Sequence, residues 1–172
     1  MTNTYSTGIY KRISSNLPII LLFFSVLNEF DFNFLNTEYF SFNFAYILIF
    51  YYNLKKKDGL GYGAIFIAGI VNDVVVGTPI GLSSLFYLLI CGAAAYLRNI
   101  TLRPNLFKDW IFFLITLLVI NSSSYMLLIL FFEFEVDYFY ILTNTFFTFF
   151  LYYFFSYLFN FLETKIIGRI ND

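Results

Sequence analysis

Histidine is missing from this chain, and cysteine occurs once, as Cys91. The first absence removes the commonest general base and transition-metal ligand, and with them every Ser-His or Cys-His catalytic arrangement. The second excludes an intramolecular disulfide and a cysteine-based metal site. Charge is scarce as well: 12% of residues are charged, against roughly 25% in a soluble domain. No polar stretch between apolar segments is long enough to fold alone.

Apolar surface is what the chain has in abundance. Of its 172 residues 60% are hydrophobic, where about 45–50% is usual. Mean hydropathy is +0.76, and several apolar stretches approach the length needed to cross a hydrocarbon core roughly 30 Å thick. The expected fold is therefore all-α and polytopic, one transmembrane domain over residues 1–172. Its six spans fall at approximately 13–30, 39–54, 61–76, 80–97, 110–132 and 138–161. The first run follows Lys11-Arg12 as a secretory signal would, but it ends in Leu27-Asn28-Glu29 without a small-residue cleavage site, so it reads as a span. The 26 phenylalanines read as lipid-facing bulk.

Basic residues set the orientation. With the N- and C-termini cytoplasmic, the inner segments hold Lys11, Arg12, Lys55, Lys56, Lys57, Arg98, Arg103, Lys108, Lys165 and Arg169, which is every base in the chain. The outer loops hold Glu29, Asp31, Glu38, Glu133, Glu135 and Asp137. Losing one span would break this alternation. Trp110 and Tyr51-Tyr52 fall near the inner interface and Tyr39, Tyr138 and Tyr140 near the outer one, where amphipathic rings settle.

One stretch organises the rest: Asn72-Asp73-Val74-Val75-Val76-Gly77-Thr78-Pro79-Ile80-Gly81. Asp73 reads as the single acid inside an apolar segment, where an ionised carboxylate costs about 2.5–3.5 kcal/mol at a helix centre and less towards the interface. Gly77, Thr78, Pro79 and Gly81 then interrupt the helix. The pattern predicts a helix that turns sharply just past an acid and returns as a second helix. Small residues flank the turn, with Gly59, Gly61, Gly63, Ala64 and Ala68 before it and Cys91-Gly92-Ala93-Ala94-Ala95 after it, spacing that lets helices approach closely. Asp73 either accepts hydrogen bonds from Thr78 or from amides freed at the turn, bracing the hairpin, or it binds a proton, an ion or a partner's polar group. A second polar cluster, Asn121-Ser122-Ser123-Ser124, sits near the middle of the fifth span and reads as side chains bonding across helices, with a transport site as the alternative.

Catalysis is not expected. An intramembrane aspartyl protease needs a second acid, a serine hydrolase needs a base, and a metal hydrolase needs a ligand cluster. No catalytic, cofactor-binding or metal-binding residue is assigned, no cofactor is implied, and no nucleic-acid partner is expected. Lys55-Lys56-Lys57 reads as a topology determinant, with anionic membrane lipids or a cytosolic partner as secondary contacts.

The segment from Gly69 to Leu82 resembles the signature of the rod shape-determining MreD family. There, a helix of the form G-[LI]-x-x-D is followed by a G-[ST]-P-[LI]-G-x turn and a second apolar helix. Gly69, Asp73, Gly77, Thr78, Pro79, Gly81 and Leu82 are the matching positions, and Asn72 lies within the same segment. The resemblance implies a multi-pass component of the bacterial inner membrane, regulating cell shape within the elongasome. It would assemble and position lateral peptidoglycan synthesis beside MreC, the actin-like MreB filament and the wall synthases, with no reaction of its own. The family is also similar in fold to the substrate-binding S components of vitamin ECF transporters. That similarity supplies a second expectation, a small-molecule uptake subunit. An ion-coupled transporter ranks last, because it would need more than one intramembrane ionisable group.

Overall fold

The computed structural model describes residues 16–27, 41–55, 59–101, 105–133 and 137–171. These residues form helices α1 (Asn16–Leu27), α2 (Phe44–Lys55), α3 (Tyr62–Val76), α4 (Leu82–Ile100), α5 (Leu106–Phe132) and α6 (Tyr138–Asn171), with no strand among them. Three of the helices are long and apolar enough to cross a membrane: α4, α5 and the Tyr138–Leu162 part of α6. Helices α1 and α3 are apolar but shorter. Lys11, Arg12, Glu29, Asp31, Glu38, Tyr39, Lys56, Lys57, Arg103, Glu135 and the side chains of Lys165 and Arg169 lie outside the described residues.

Side-chain caps explain where three helices start. Asn43 Oδ1 accepts from the Tyr46 amide at 3.1 Å, so α2 begins at Phe44 and not near residue 39. Asn105 accepts from the Phe107 amide at 3.0 Å and starts α5 ahead of Trp110. The pair Lys108-Asp109, which reads as loop, thereby falls in the first turns of a helix. Asp137 caps α6 by accepting from Phe139 at 2.9 Å and Tyr140 at 3.3 Å. Each cap satisfies amides that a helix start otherwise leaves unpaired. The last helix continues to Asn171, past the expected end near residue 161.

Helix α2 is the centre of the bundle. It packs against α4 and α6, and every residue from Ala45 to Asn53 is buried. Its 12 residues rise only about 18 Å, so it is shorter than a hydrocarbon core. A helix with apolar side chains all round is stable when neighbours cover every face, and here they do. Phe50 lies 4.9 Å from the Phe113 ring of α5 and 5.6 Å from the Tyr152 ring of α6. Arg98 of α4 donates to the Asn53 carbonyl at 2.6 Å, satisfying an acceptor at the end of α2. Aromatic rings thus divide between lipid and core. Phe66, Phe107, Phe131 and Phe154 are exposed, while Phe50, Phe86 and Phe113 are buried, so the phenylalanines are not lipid-facing bulk alone.

Aromatic contacts pair α5 with α6, among them Phe113 stacked on Tyr152 with centroids 4.3 Å apart. Trp110 stacks on Phe149 with centroids 4.4 Å apart and planes 5° from parallel, and its indole N–H donates to the Phe149 carbonyl at 2.9 Å. Asn121 of α5 donates to Thr145 of α6 at 2.7 Å further along the same seam.

Candidate functional site

Helices α3 and α4 form the hairpin around Asp73. The chain reverses there because Gly77 and Gly81 adopt φ of 78° and 100°, conformations that L side chains resist. The Asp73 carbonyl accepts from the amides of Gly77 at 2.9 Å and Thr78 at 3.0 Å, a Schellman-type closure of α3. The Asp73 carboxylate reaches across the turn. Its Oδ1 accepts from Thr78 Oγ1 at 2.8 Å and the Ser83 amide at 2.9 Å, and its Oδ2 from the Gly81 amide at 2.7 Å.

Gly81 precedes the first residue of α4 and has no side chain with which to cap it. Asp73 supplies that cap from the previous helix, setting a negative charge against the positive end of the α4 dipole. The carboxylate is 1% exposed and has a donor for each oxygen. Pro79 sits between these donors, where its missing amide leaves nothing unpaired; its carbonyl accepts from Leu82 at 3.1 Å.

The helices themselves meet at Gly69. A Cβ there would overlap the backbone of Ser84, so glycine sets how closely α3 and α4 approach. Ser84 Oγ donates to the Phe66 carbonyl at 2.9 Å, and Asn72 donates to Ser83 Oγ at 3.0 Å. The expected small-residue faces are narrower than their composition suggests. Gly61, Gly63 and Gly92 face open space, and the packed positions are Ala68, Gly69, Cys91 and Ala94, with Gly59 close against the Tyr52 backbone.

The polar cluster of α5 does not act as one unit. Asn121 and Ser124 line a cavity of about 510 Å³, whereas Ser122 is exposed and Ser123 is outside the lining. The cavity lies at the end of the bundle where the Gly77–Gly81 turn is. The hairpin contributes Asn72, Thr78 and Ser83 to it, so the two polar clusters expected from the sequence meet across one space. Asp73 stays behind the wall, engaged by Thr78 and Ser83, which face the cavity as well.

The rest of the polar wall among the described residues comes from Ser25, Ser41, Asn43, Tyr46, Tyr87, Tyr125, Tyr140 and Asn144, none of which was singled out from the sequence as a site residue. Contacts between distant parts of the chain hold it. Asn144 donates to Ser41 Oγ at 2.8 Å, Ser41 and Tyr140 share a hydrogen bond of 2.9 Å, and the Asn43 amide donates to Thr148 at 2.8 Å. The available signal was hydroxyl and amide side chains inside apolar runs, such as Tyr46, Tyr87 and Tyr125 well away from a span end.

A second buried acid also corrects the sequence reading. Asp109, in the first turn of α5, is 6% exposed. It belongs to the opposite end of the bundle from Asp73, at the start of α5, so the two do not form a dyad. Among the described residues no group of three or more His, Cys, Asp or Glu is placed to hold a metal ion. Comparison with protein-family models, with curated proteins and with solved structures finds no match to this chain.

Proposed function

We propose that this protein is a non-catalytic, multi-pass component of the bacterial inner membrane that helps assemble and position lateral peptidoglycan synthesis. In this reading it has six spans with both termini inside, and it works beside an MreC-like shape protein. An MreB-type filament and the wall synthases are reached indirectly. The observation that carries the reading is the Asp73 hairpin. The residues that resemble the MreD signature each have a physical task in one turn: Gly69 at the helix crossing, Asp73 and Thr78 in the brace, Gly77 and Gly81 at positive φ. A turn so constrained presents a fixed surface, with Ile80 77% exposed at its tip, which suits a docking element better than a moving gate.

Depletion in the host tests this. Rounded cells with delocalised incorporation of a fluorescent wall precursor are expected, together with loss of MreC co-purification by Asp73→Ala. Normal width and unchanged incorporation would remove the scaffold reading. The polar cavity favours a second reading, an uptake subunit similar to an S component, for which depletion would instead impair growth on limiting vitamins.

A further inference from the structure

The cavity wall carries hydroxyls that no described residue pairs. The side chains of Tyr46, Tyr87, Ser124 and Tyr125 line it and make no hydrogen bond to any described residue. Two of these residues are deeply buried, Tyr46 at 9% and Tyr87 at 1% exposed. These hydroxyls open onto the cavity and are not sealed in the packed core, so they bond with what occupies it, water or a ligand. Asn43, Asn72, Asn121 and Asn144 add carbonyl and amide groups around the same space, of which one donor or acceptor each is used in the wall contacts above.

Among the described residues the lining includes no Lys, Arg, Asp or Glu. A charged occupant would therefore be desolvated between apolar helices without a counter-ion, which is strongly disfavoured. An apolar occupant would strand the hydroxyls and amides. A neutral molecule rich in hydroxyl groups meets both constraints. The volume of about 510 Å³ falls within the roughly 300–1,000 Å³ usual for small-molecule sites.

We infer that the cavity beside the Asp73 hairpin is a binding site for a neutral, polyhydroxylated small molecule of the sugar or polyol class. The inference does not depend on the scaffold reading; a shape protein with a ligand site and an uptake subunit satisfy it equally.

The test is calorimetric titration of the full chain in lipid nanodiscs with glucose, N-acetylglucosamine, myo-inositol and ribitol, each beside its phosphorylated form. At least one neutral compound is expected to bind with one-to-one stoichiometry, and its phosphate at least tenfold more weakly. Tyr87→Phe and Tyr125→Phe each remove one hydroxyl and keep the ring, and about a tenfold loss of affinity is expected from either. Tyr153→Phe, exposed on α6 and outside the cavity, is expected to bind as wild type. Circular dichroism and thermal midpoint verify that the variants are folded. Absence of binding by all four neutral compounds, which would leave the space to water, overturns the inference. Equal affinity for the phosphates, or full affinity in both folded Phe variants, overturns it too.

Discussion

A carboxylate can stay buried in an apolar helix when donors surround it, and Asp73 has Thr78 Oγ1 and the amides of Gly81 and Ser83. Their geometry ranks substitutions. Asp73→Asn exchanges one acceptor oxygen for an NH₂ group, which must then face a donor, and is expected to lower stability by about 1–3 kcal/mol. Asp73→Ala strands all three donors and frees the N-terminus of α4, so its loss is expected to be the larger. Asn121→Ala removes one bond to Thr145, worth about 0.6–2 kcal/mol across membrane helices, and is expected to be the mildest of the three. Thermal unfolding of the purified protein in detergent measures the order. A midpoint for Asp73→Ala at or above that of Asn121→Ala would show that the carboxylate does not brace the turn.

Between elements, the decisive contact is where α3 meets α4, and glycine serves there by lacking a side chain. Gly69→Ala places a methyl group against the Ser84 backbone and is expected to destabilise by about 1–3 kcal/mol as the helices move apart. Gly92→Ala lies in the same hairpin on an open face of α4. It is expected to be neutral or to stabilise by up to about 1 kcal/mol, since alanine is the better helix former. Opposite signs for two identical substitutions separate packing from propensity, and the same unfolding experiment reads both. This hairpin was legible in the sequence because its physics is local. An acid, two glycines and a proline within nine positions, Asp73 to Gly81, define the brace without reference to the rest of the chain. The cavity was not legible, because Ser41 meets Asn144 and Asn43 meets Thr148 only once α2 has been packed against α6. Nor did the sequence distinguish α2 as the buried centre, since an apolar run reads the same whether lipid or protein covers it.

For the whole molecule, the question is whether a hairpin with so short a first arm crosses the membrane. Helix α3 has 15 residues and rises about 22 Å, less than the roughly 30 Å of a hydrocarbon core, while α4 has 19 and rises about 28 Å. Charge argues for crossing. Lys55, Arg98 and Lys108 lie at one end of the bundle, and Glu133 and Asp137 at the end that carries the Gly77–Gly81 turn. The cavity argues in the same direction, because a polar space at the turn end brings water close to the tip of α3 and shortens the apolar path. Cysteine labelling tests this in a Cys91→Ala background, which removes the only native thiol. Ile80→Cys at the turn and Tyr138→Cys at the start of α6 are 77% and 75% exposed in the native side chains, and both are expected to react with a membrane-impermeant maleimide added to intact spheroplasts. Tyr62→Cys and Ile100→Cys, at the far ends of α3 and α4, are expected to react only after lysis. Were the hairpin to re-enter without crossing, Ile80→Cys would be protected before lysis. The outward face of the cavity would then be closed, and its ligand would have to arrive from the cytoplasm.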